Sequence, residues 1–167
     1  MIVIADTTPI ITLIKLNRLD LLEKIFGTIF IPSAVYEELT ANQNFLAEAN
    51  LVNNSLFLKR CKVSDRQSIK ILREIVGLDA GESEAIALAE EKSADLLIID
   101  EHKGRQVAKK IGIKITGTIG LLIHAFDEKF LSRKEILACI EILQASNIRI
   151  SDSLFTTIFE HVNLKQR

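Results

Sequence analysis

Two short apolar runs, each ended by an aspartate, constrain the fold of this chain most strongly. Residues 2–5 lead into Asp6 and residues 96–99 lead into Asp100, with no polar residue inside either run. A continuously apolar run suits a strand that is covered on both faces, as in the middle of a parallel sheet. Because such strands alternate with helical patterns along the chain, we predict a three-layer α/β/α fold, an α/β class with a mainly parallel central sheet.

The hydrophobic pattern also sets the expected order of elements. We predict strands at 2–5, 28–31, 56–63, 96–99 and 113–115, with helices between and after them. Residues 56–63 alternate as an edge strand does, and residues 42–54 are expected to hold a short helix. Ser132 is predicted to cap one late helix, and Ser151 or Asp152 the last one.

Length and composition predict one domain spanning residues 1–167. A chain of 167 residues that is 48% hydrophobic can bury a sizeable core. No stretch approaches the ~18 uninterrupted apolar residues of a membrane span, and the start of the chain lacks a signal-peptide pattern. Cys61 and Cys139 are isolated and lack metal-type spacing, so we expect a cytoplasmic protein with no membrane association. The formal net charge of -1 provides no overall attraction to nucleic acid, which only a local basic surface or bound cations would supply.

The two strand-end aspartates are the first candidate site. In an open α/β sheet, ligands bind outside the carboxyl ends of the strands, so Asp6 and Asp100 would project into one crevice if their strands are neighbours. Pro9 suits the first turn of a helix that follows the first strand. A structural alternative is that Asp6 or Thr7 only caps this helix. A second aspartate in the same context favours the site, because capping alone does not predict a matched pair.

Two glutamates on predicted helices could complete an acidic pocket. Glu38 and Glu82 could lean over the strand ends, and carboxylates that converge repel one another unless a cation or a shared proton is present. Oxygen ligands without His or Cys favour Mg²⁺ or Mn²⁺, which serve phosphoryl chemistry. The alternative is that both glutamates are solvated helix acids favoured by the helix dipole.

Four stretches, in this order and spacing, resemble the PIN-domain family of metal-dependent ribonucleases, which includes VapC-type toxins. They are I-A-D-T-T-P-I at 4–10, I-P-S-A-V-Y-E-E-L at 31–39, L-D-A-G-E-S-E-A-I-A-L-A at 78–89 and A-D-L-L-I-I-D-E at 94–101. The end of the last stretch and T-G-T-I-G-L-L at 116–122 resemble one prokaryotic PIN-like subgroup. The resemblance covers nearly the whole chain. It implies a parallel sheet with helices on both faces, an acidic pocket for Mg²⁺ or Mn²⁺, and cleavage of RNA.

The resemblance also implies which side chains act. It assigns catalytic roles to Asp6, Glu38, Glu82 and Asp100, and a supporting hydrogen bond to the hydroxyl of Thr7. Asp6, Asp100 and Glu82 would be the metal ligands, while Glu38 would complete the shell and help to orient a water molecule.

The third acid departs from the family pattern. The family usually has an Asp about five residues before an Ala-x-Ala motif. Counting back five residues from Ala87 places this acid at Glu82. Shifting the alignment by two residues places it at Glu84. A Glu in place of this Asp leaves open whether the protein is a vigorous nuclease, a weak one or an inactive member.

Partners follow from the same resemblance. Lys103 and Arg105, just after Asp100, could hold the RNA backbone, or could simply form a solvated basic helix face. The family suggests a toxin that pairs with a small antitoxin protein, and a homodimer. The competing functional hypothesis is a catalytically weak or silent PIN-like module that binds nucleic acid or a protein.

Overall fold

The computed structural model describes residues 1–41, 43–146 and 152–164, with the side chains of residues 43, 152, 153 and 164 left out. The chain's contacts group into two compact units, Met1–Thr118 and Ile119–Arg167. The first unit holds the sheet and all the acids of the candidate site. A single domain over residues 1–167 stays a prediction.

The first unit is built on a five-stranded sheet in which every paired strand is parallel. Its strands are β1 (Val3–Ala5), β2 (Ile29–Pro32), β3 (Leu58–Cys61), β4 (Leu96–Ile98) and β5 (Ile115–Thr116). Their order across the sheet is β3-β2-β1-β4-β5. The predicted α/β/α fold with a parallel sheet is therefore confirmed, and 56–63 does form an edge strand. That edge strand is shorter than predicted because only four of its residues pair with β2. The last strand begins two residues later and ends one residue later than predicted.

Helices connect the strands of the first unit. They are α1 (Thr7–Lys15), α2 (Asp20–Phe26), α3 (Ser33–Thr40), a 3₁₀ turn (Gln43–Phe45), α4 (Leu46–Asn54), α5 (Arg66–Ile71), α6 (Ala80–Glu91) and α7 (His102–Lys110). A π-helical turn over Leu72–Val76 continues α5, and Gly77, which follows it, has a φ of 76°. The short helix expected within residues 42–54 is confirmed, since α4 fills most of that segment.

The second unit is helical in the part that the structure describes. α8 (Thr118–Asp127) begins at the last residue of the first unit, and α9 (Arg133–Ala145) and α10 (Asp152–Leu164) follow. Ser132 caps α9 through a capping box with Glu135, as predicted. The predicted cap of the last helix lies outside the described residues. None of the helices in the described ranges has both the length and the apolar character needed to cross a bilayer.

The core of the first unit explains the uninterrupted apolar runs. Val3, Ile4 and Ala5 of β1 are fully buried, as are Leu97 and Ile98 of β4. These strands are central in the sheet, so side chains on both of their faces are covered. Helix α6 is buried along most of its length, and it packs against β1, β2 and β4.

The strand order creates a crevice between β1 and β4. The chain winds outward from β1 through β2 to β3, then crosses to the other side of β1 and continues through β4 to β5. The winding direction therefore reverses between β1 and β4, which is the usual position of a ligand site in an open parallel sheet. Ala5 pairs with Ile98, so Asp6 and Asp100 leave the sheet beside this reversal.

Candidate functional site

Asp6 is the buried acid at the end of β1. Its side chain is only 2% exposed, and its backbone N–H donates to the Ile98 carbonyl at 3.0 Å. It occupies the N-cap position of α1, yet its carboxylate makes no capping hydrogen bond to the helix of the usual kind. The capping alternative therefore does not account for this carboxylate.

The pKa of Asp6 is raised to about 7. Burial is the largest cause, because a charged carboxylate loses its hydration there. The backbone N–H of Thr7 offsets part of this effect, while the charges of Asp79, Glu82 and Glu38 raise the pKa further. Asp6 is thus a carboxyl group surrounded by other acids, in a position where a positive charge would favour its ionised form.

Glu82 and Asp79 form a capping box at the start of α6. The Asp79 carboxylate accepts the Glu82 N–H at 2.7 Å, and Glu82 Oε2 accepts the Asp79 N–H at 3.1 Å. Glu82 is 5% exposed, and its Oε1 is buried with no hydrogen-bond partner in the described ranges. Burial is the main cause that raises the pKa of Glu82, and the charges of Asp79 and Glu101 add to it. One oxygen of Glu82 therefore holds the helix start, and the other is left to a ligand or a proton.

Glu38 is held by two donors from neighbouring elements. The Thr7 hydroxyl donates to Glu38 Oε2 at 2.5 Å, and the Gly81 N–H donates to Oε1 at 3.2 Å. A Cβ at position 81 would lie 2.8 Å from Glu38 Oε2 and 3.1 Å from Thr7 Oγ1. The absence of a side chain at Gly81 thus allows the first turn of α6 to approach α3 and α1.

Asp100 is fixed by the start of α8. Thr118 donates its backbone N–H to Asp100 Oδ1 at 2.8 Å and its hydroxyl to Oδ2 at 2.5 Å. The intervening Gly117 leaves room for this contact, since a Cβ there would lie 2.6 Å from Asp100 Oδ1. Asp100 thus follows β4, the neighbour of the strand that Asp6 follows, and its carboxylate is turned towards Thr118.

Glu82 and Glu84 are separated by the structure. Glu84 accepts the Ala34 N–H at 2.9 Å, so it satisfies a free donor in the first turn of α3, where Pro32 at the N-cap has no side chain able to do so. Glu82, by contrast, is one of the acids whose charge raises the pKa of Asp6. Of the two alternatives for the third acid, Glu82 is the one placed with Asp6.

The two predicted RNA-binding cations both make contacts within the chain. Lys103 Nζ donates to the Gly77 carbonyl at 3.2 Å and lies on the exposed side of α7. Arg105 is half-buried, and its Nη1 donates to the Ile99 carbonyl at 2.7 Å. Each of these side chains has further N–H donors that could bind a phosphate. Their role in RNA binding stays a prediction.

Sequence reasoning missed the roles of three residues in this region. Among the acids around Asp6, the charge of Asp79 raises its pKa the most. Gly81 leaves room for the Glu38 carboxylate, and Thr118 orients Asp100 through hydrogen bonds. The capping-box spacing of Asp79 and Glu82 was a usable signal in the sequence. Gly81 and Thr118 act through contacts distant in the chain, for which the sequence held no such signal.

The donor chemistry suits a hard divalent cation, although the ligands are not gathered into a ready-made cluster. Within the described ranges no three His, Cys, Asp or Glu side chains are arranged to hold a metal ion. The buried free oxygen of Glu82 and the raised pKa of Asp6 nevertheless mark two carboxylates that a cation would stabilise. The residues fit such an ion in their chemistry, with Asp6 and Glu82 as its first candidates.

Comparison with known proteins adds one finding. A family model described as a PIN domain matches residues 2–164, nearly the full length of the chain. No curated protein and no solved structure gives a significant match.

Proposed function

The chain belongs to the PIN-domain family, and on this premise we propose that it is a Mg²⁺- or Mn²⁺-dependent endoribonuclease, a hydrolase of RNA phosphodiester bonds. PIN domains are generally nucleases and typically use divalent metals. The observation that carries the proposal is the position of Asp6, which is 2% exposed at the sheet reversal with a pKa raised to about 7 amid three other acids. A buried carboxylate is costly to the fold unless it is protonated or faces a positive charge, and acids with such shifted pKa values cluster at functional sites.

The proposed ligands are Asp6, Glu82 and Asp100. A bound Mg²⁺ or Mn²⁺ would supply an activated water and neutralise charge on the phosphate. Asp6 and Glu82 would hold the ion through carboxylates whose charged forms are disfavoured without it. Asp100 would take part directly or through water, with its oxygens kept in place by Thr118.

Glu38 is proposed to orient the attacking water. Each of its oxygens already accepts one hydrogen bond, from Thr7 or from Gly81, so the carboxylate is fixed and still has lone pairs to offer. A fixed acceptor beside the reacting phosphate would hold the water in line and accept its proton. Lys103 and Arg105 are proposed to contact the RNA backbone at the edge of this site.

The broader biological role rests on the family alone. We propose a toxin that acts in the cytoplasm, forms a homodimer and pairs with a small antitoxin protein. A second candidate function is a catalytically weak or silent PIN-like module that binds nucleic acid or protein. The lack of a ready-made three-ligand group in the described ranges favours this alternative.

One experiment separates the two functions. The full chain is incubated with mixed RNA and Mn²⁺ beside Asp6→Asn and Asp100→Asn, and metal binding is measured by calorimetry. We expect cleavage by the wild-type chain and its loss in both variants. No cleavage at any metal concentration, together with no metal binding, would overturn the nuclease proposal. Cleavage that survives both substitutions would show that the active site lies elsewhere.

A further inference from the structure

A basic groove lies at the carboxyl ends of β2 and β3, and the acids lie at the carboxyl ends of β1 and β4 in the same sheet. It has a volume of about 370 Å³, and its charged lining consists of Arg60, Lys62, Arg66, Glu37 and Glu84. The groove is formed where β3 ends and α3 and α5 begin. A local excess of cations matters in this chain because its net charge of -1 provides no general attraction to nucleic acid.

Both acids of the groove are already bound within the chain. Glu37 Oε1 pairs with Arg60 Nη2 at 2.8 Å, and Glu84 Oε2 accepts the Ala34 N–H at 2.9 Å. Lys62 and Arg66 are exposed, and their side chains have no hydrogen-bond or ion-pair partner in the part of the chain that the structure describes. These two positive charges are therefore available to an anion.

Arg60 is a preorganised donor in the same groove. Its guanidinium lies 4.8 Å from the centre of the Tyr36 ring, and its Nε donates to Ser33 Oγ at 3.3 Å. A guanidinium has five N–H donors in a rigid fork, so further donors remain after these contacts and the bond to Glu37. A stacked guanidinium loses little entropy when it binds a phosphate, because it is already ordered.

The N-terminal part of α6 lies between the groove and the acids. Glu82 belongs to the acids around Asp6, whereas Glu84 lines the groove, and the two are separated by one residue. Residues two apart on a helix point to nearly opposite sides, at 3.6 residues per turn. The groove and the acids are therefore separated by about the width of one helix, which is about 10–12 Å with side chains.

We propose that this groove binds backbone phosphates of the RNA strand whose adjacent phosphodiester is presented to Asp6. Lys62 and Arg66 would each contact a phosphate, and Arg60 would supply a rigid fork to the same stretch of backbone. The proposal rests on the proposed function, since it names a substrate-binding surface for that site.

The test measures RNA binding without cleavage. The full chain, Lys62→Ala/Arg66→Ala and a control, Lys110→Ala/Lys114→Ala, are titrated with a labelled oligouridylate in the presence of a chelator over a range of salt concentrations. The control removes the same charge from two exposed residues near the amino ends of the strands, on the far side of the sheet from the groove. This is because α7 runs from the carboxyl end of β4 back to the start of β5. Circular dichroism checks that all three proteins are folded.

The groove variant should bind about tenfold more weakly near physiological salt, and the slope of log K against log salt should fall by about 1.4, at ~0.7 per lost phosphate contact on a single strand. The control should keep the affinity and slope of the wild-type chain. Equal losses in both variants, unchanged binding in the groove variant, or no RNA binding by the wild-type chain would each overturn the proposal. Groove-dependent binding of inorganic phosphate without groove-dependent binding of RNA would also overturn it.

Cleavage assays with Mn²⁺ keep this proposal separate from the proposed function. If RNA is bound through the groove and never cleaved, the nuclease proposal fails and the groove stands. If RNA is cleaved and the groove variant has wild-type KM and kcat, the groove fails and the nuclease stands. We expect the groove variant to raise KM with little change in kcat, because the chemical groups are untouched.

Discussion

Gly81 and Glu38 are in contact across two helices that lie far apart in the chain. The Gly81 N–H donates to Glu38 Oε1 at 3.2 Å, and a Cβ on residue 81 would lie 2.8 Å from Oε2. An acid from α3 is thus held at the first turn of α6, beside the buried Asp6. An alanine at position 81 would therefore have to displace the Glu38 carboxylate.

Replacing Gly81 by alanine should move Glu38 and reduce RNA cleavage. The added methyl group must displace the end of a flexible side chain, while the helix gains up to about 1 kcal/mol in propensity. We therefore expect little net change in the free energy of unfolding, measured in urea, and a clear loss of kcat.

The matched control repeats the change in a Glu38→Ala background. Without the Glu38 carboxylate the methyl group has far less to displace, so Gly81→Ala should cause no further loss of activity and should raise stability. Independent, additive losses in the double variant would contradict an effect that acts through Glu38.

The raised pKa of Asp6 predicts that the metal-free protein loses stability as pH rises. The folded state holds this proton up to about pH 7, whereas the unfolded chain releases it near the ordinary value of 3.8. The folded form therefore binds more protons between these values, and the free energy of unfolding falls across that window by up to about 4 kcal/mol, at 1.36 kcal/mol per unit. Urea unfolding with a chelator at pH 5 and pH 8 covers about two pH units of this window, so we expect a difference of about 2.7 kcal/mol between the two.

Asp6→Asn is the control for this pH dependence. The amide has nearly the same shape and cannot ionise, so its stability should change much less between pH 5 and pH 8. It should also exceed the wild-type stability at pH 8. The same pH dependence in both proteins would show that other groups cause it.

Mn²⁺ should reverse the loss of stability. A cation favours ionised Asp6 and Glu82, whose pKa values are both raised, so binding should release protons. Binding should therefore strengthen as pH rises, by up to about tenfold per pH unit up to about pH 7 for the Asp6 proton. Calorimetry in buffers of different ionisation enthalpy counts the protons, and Tm measured with and without Mn²⁺ reports the stabilisation. Binding that is independent of pH would indicate ligands other than these buried acids.

Glu82 and Glu84 should respond in opposite ways to substitution. Glu82→Gln can keep the capping box, because an amide oxygen can still accept the Asp79 N–H, but it removes the charge. We expect it to lose metal binding and cleavage with little change in stability.

Glu84→Ala should lose stability while metal binding and kcat are kept. It leaves the Ala34 N–H without its acceptor, at a cost of about 1 kcal/mol of stability, and leaves the acids around Asp6 intact. Cleavage assays and urea unfolding on both variants provide the test. Loss of cleavage in Glu84→Ala with normal activity in Glu82→Gln would reverse our assignment of the third acid.

Thr118 is a positioning residue for Asp100, so its hydroxyl should affect catalysis. Thr118→Val removes the donor to Oδ2 and keeps the backbone N–H to Oδ1. We expect kcat to fall about tenfold, equivalent to about 1.4 kcal/mol of barrier, with recovery in Thr118→Ser, which restores a hydroxyl. Equal activity in the Val and Ser variants would show that the hydroxyl has no such role.

Most of the fold was predictable because strong local patterns agreed with the tertiary environment. The apolar runs before Asp6 and Asp100 proved to be central strands, and the PIN-domain resemblance agrees with the family model over residues 2–164. The limits of β3 and β5 were less predictable, since a strand ends where its neighbour stops pairing, and pairing is not local.

The sequence by itself determined that strand-end acids occur in a parallel α/β fold, because strand burial and helix capping leave marks that are local in the chain. Only the tertiary structure decided that Glu82 joins Asp6 while Glu84 caps α3, and that Asp100 is turned towards Thr118. It also decided that the missing side chain of Gly81 leaves room for the Glu38 carboxylate. The physical reason is that these choices depend on where a helix start lies against distant elements, which fixes the direction, burial and pKa of each carboxylate.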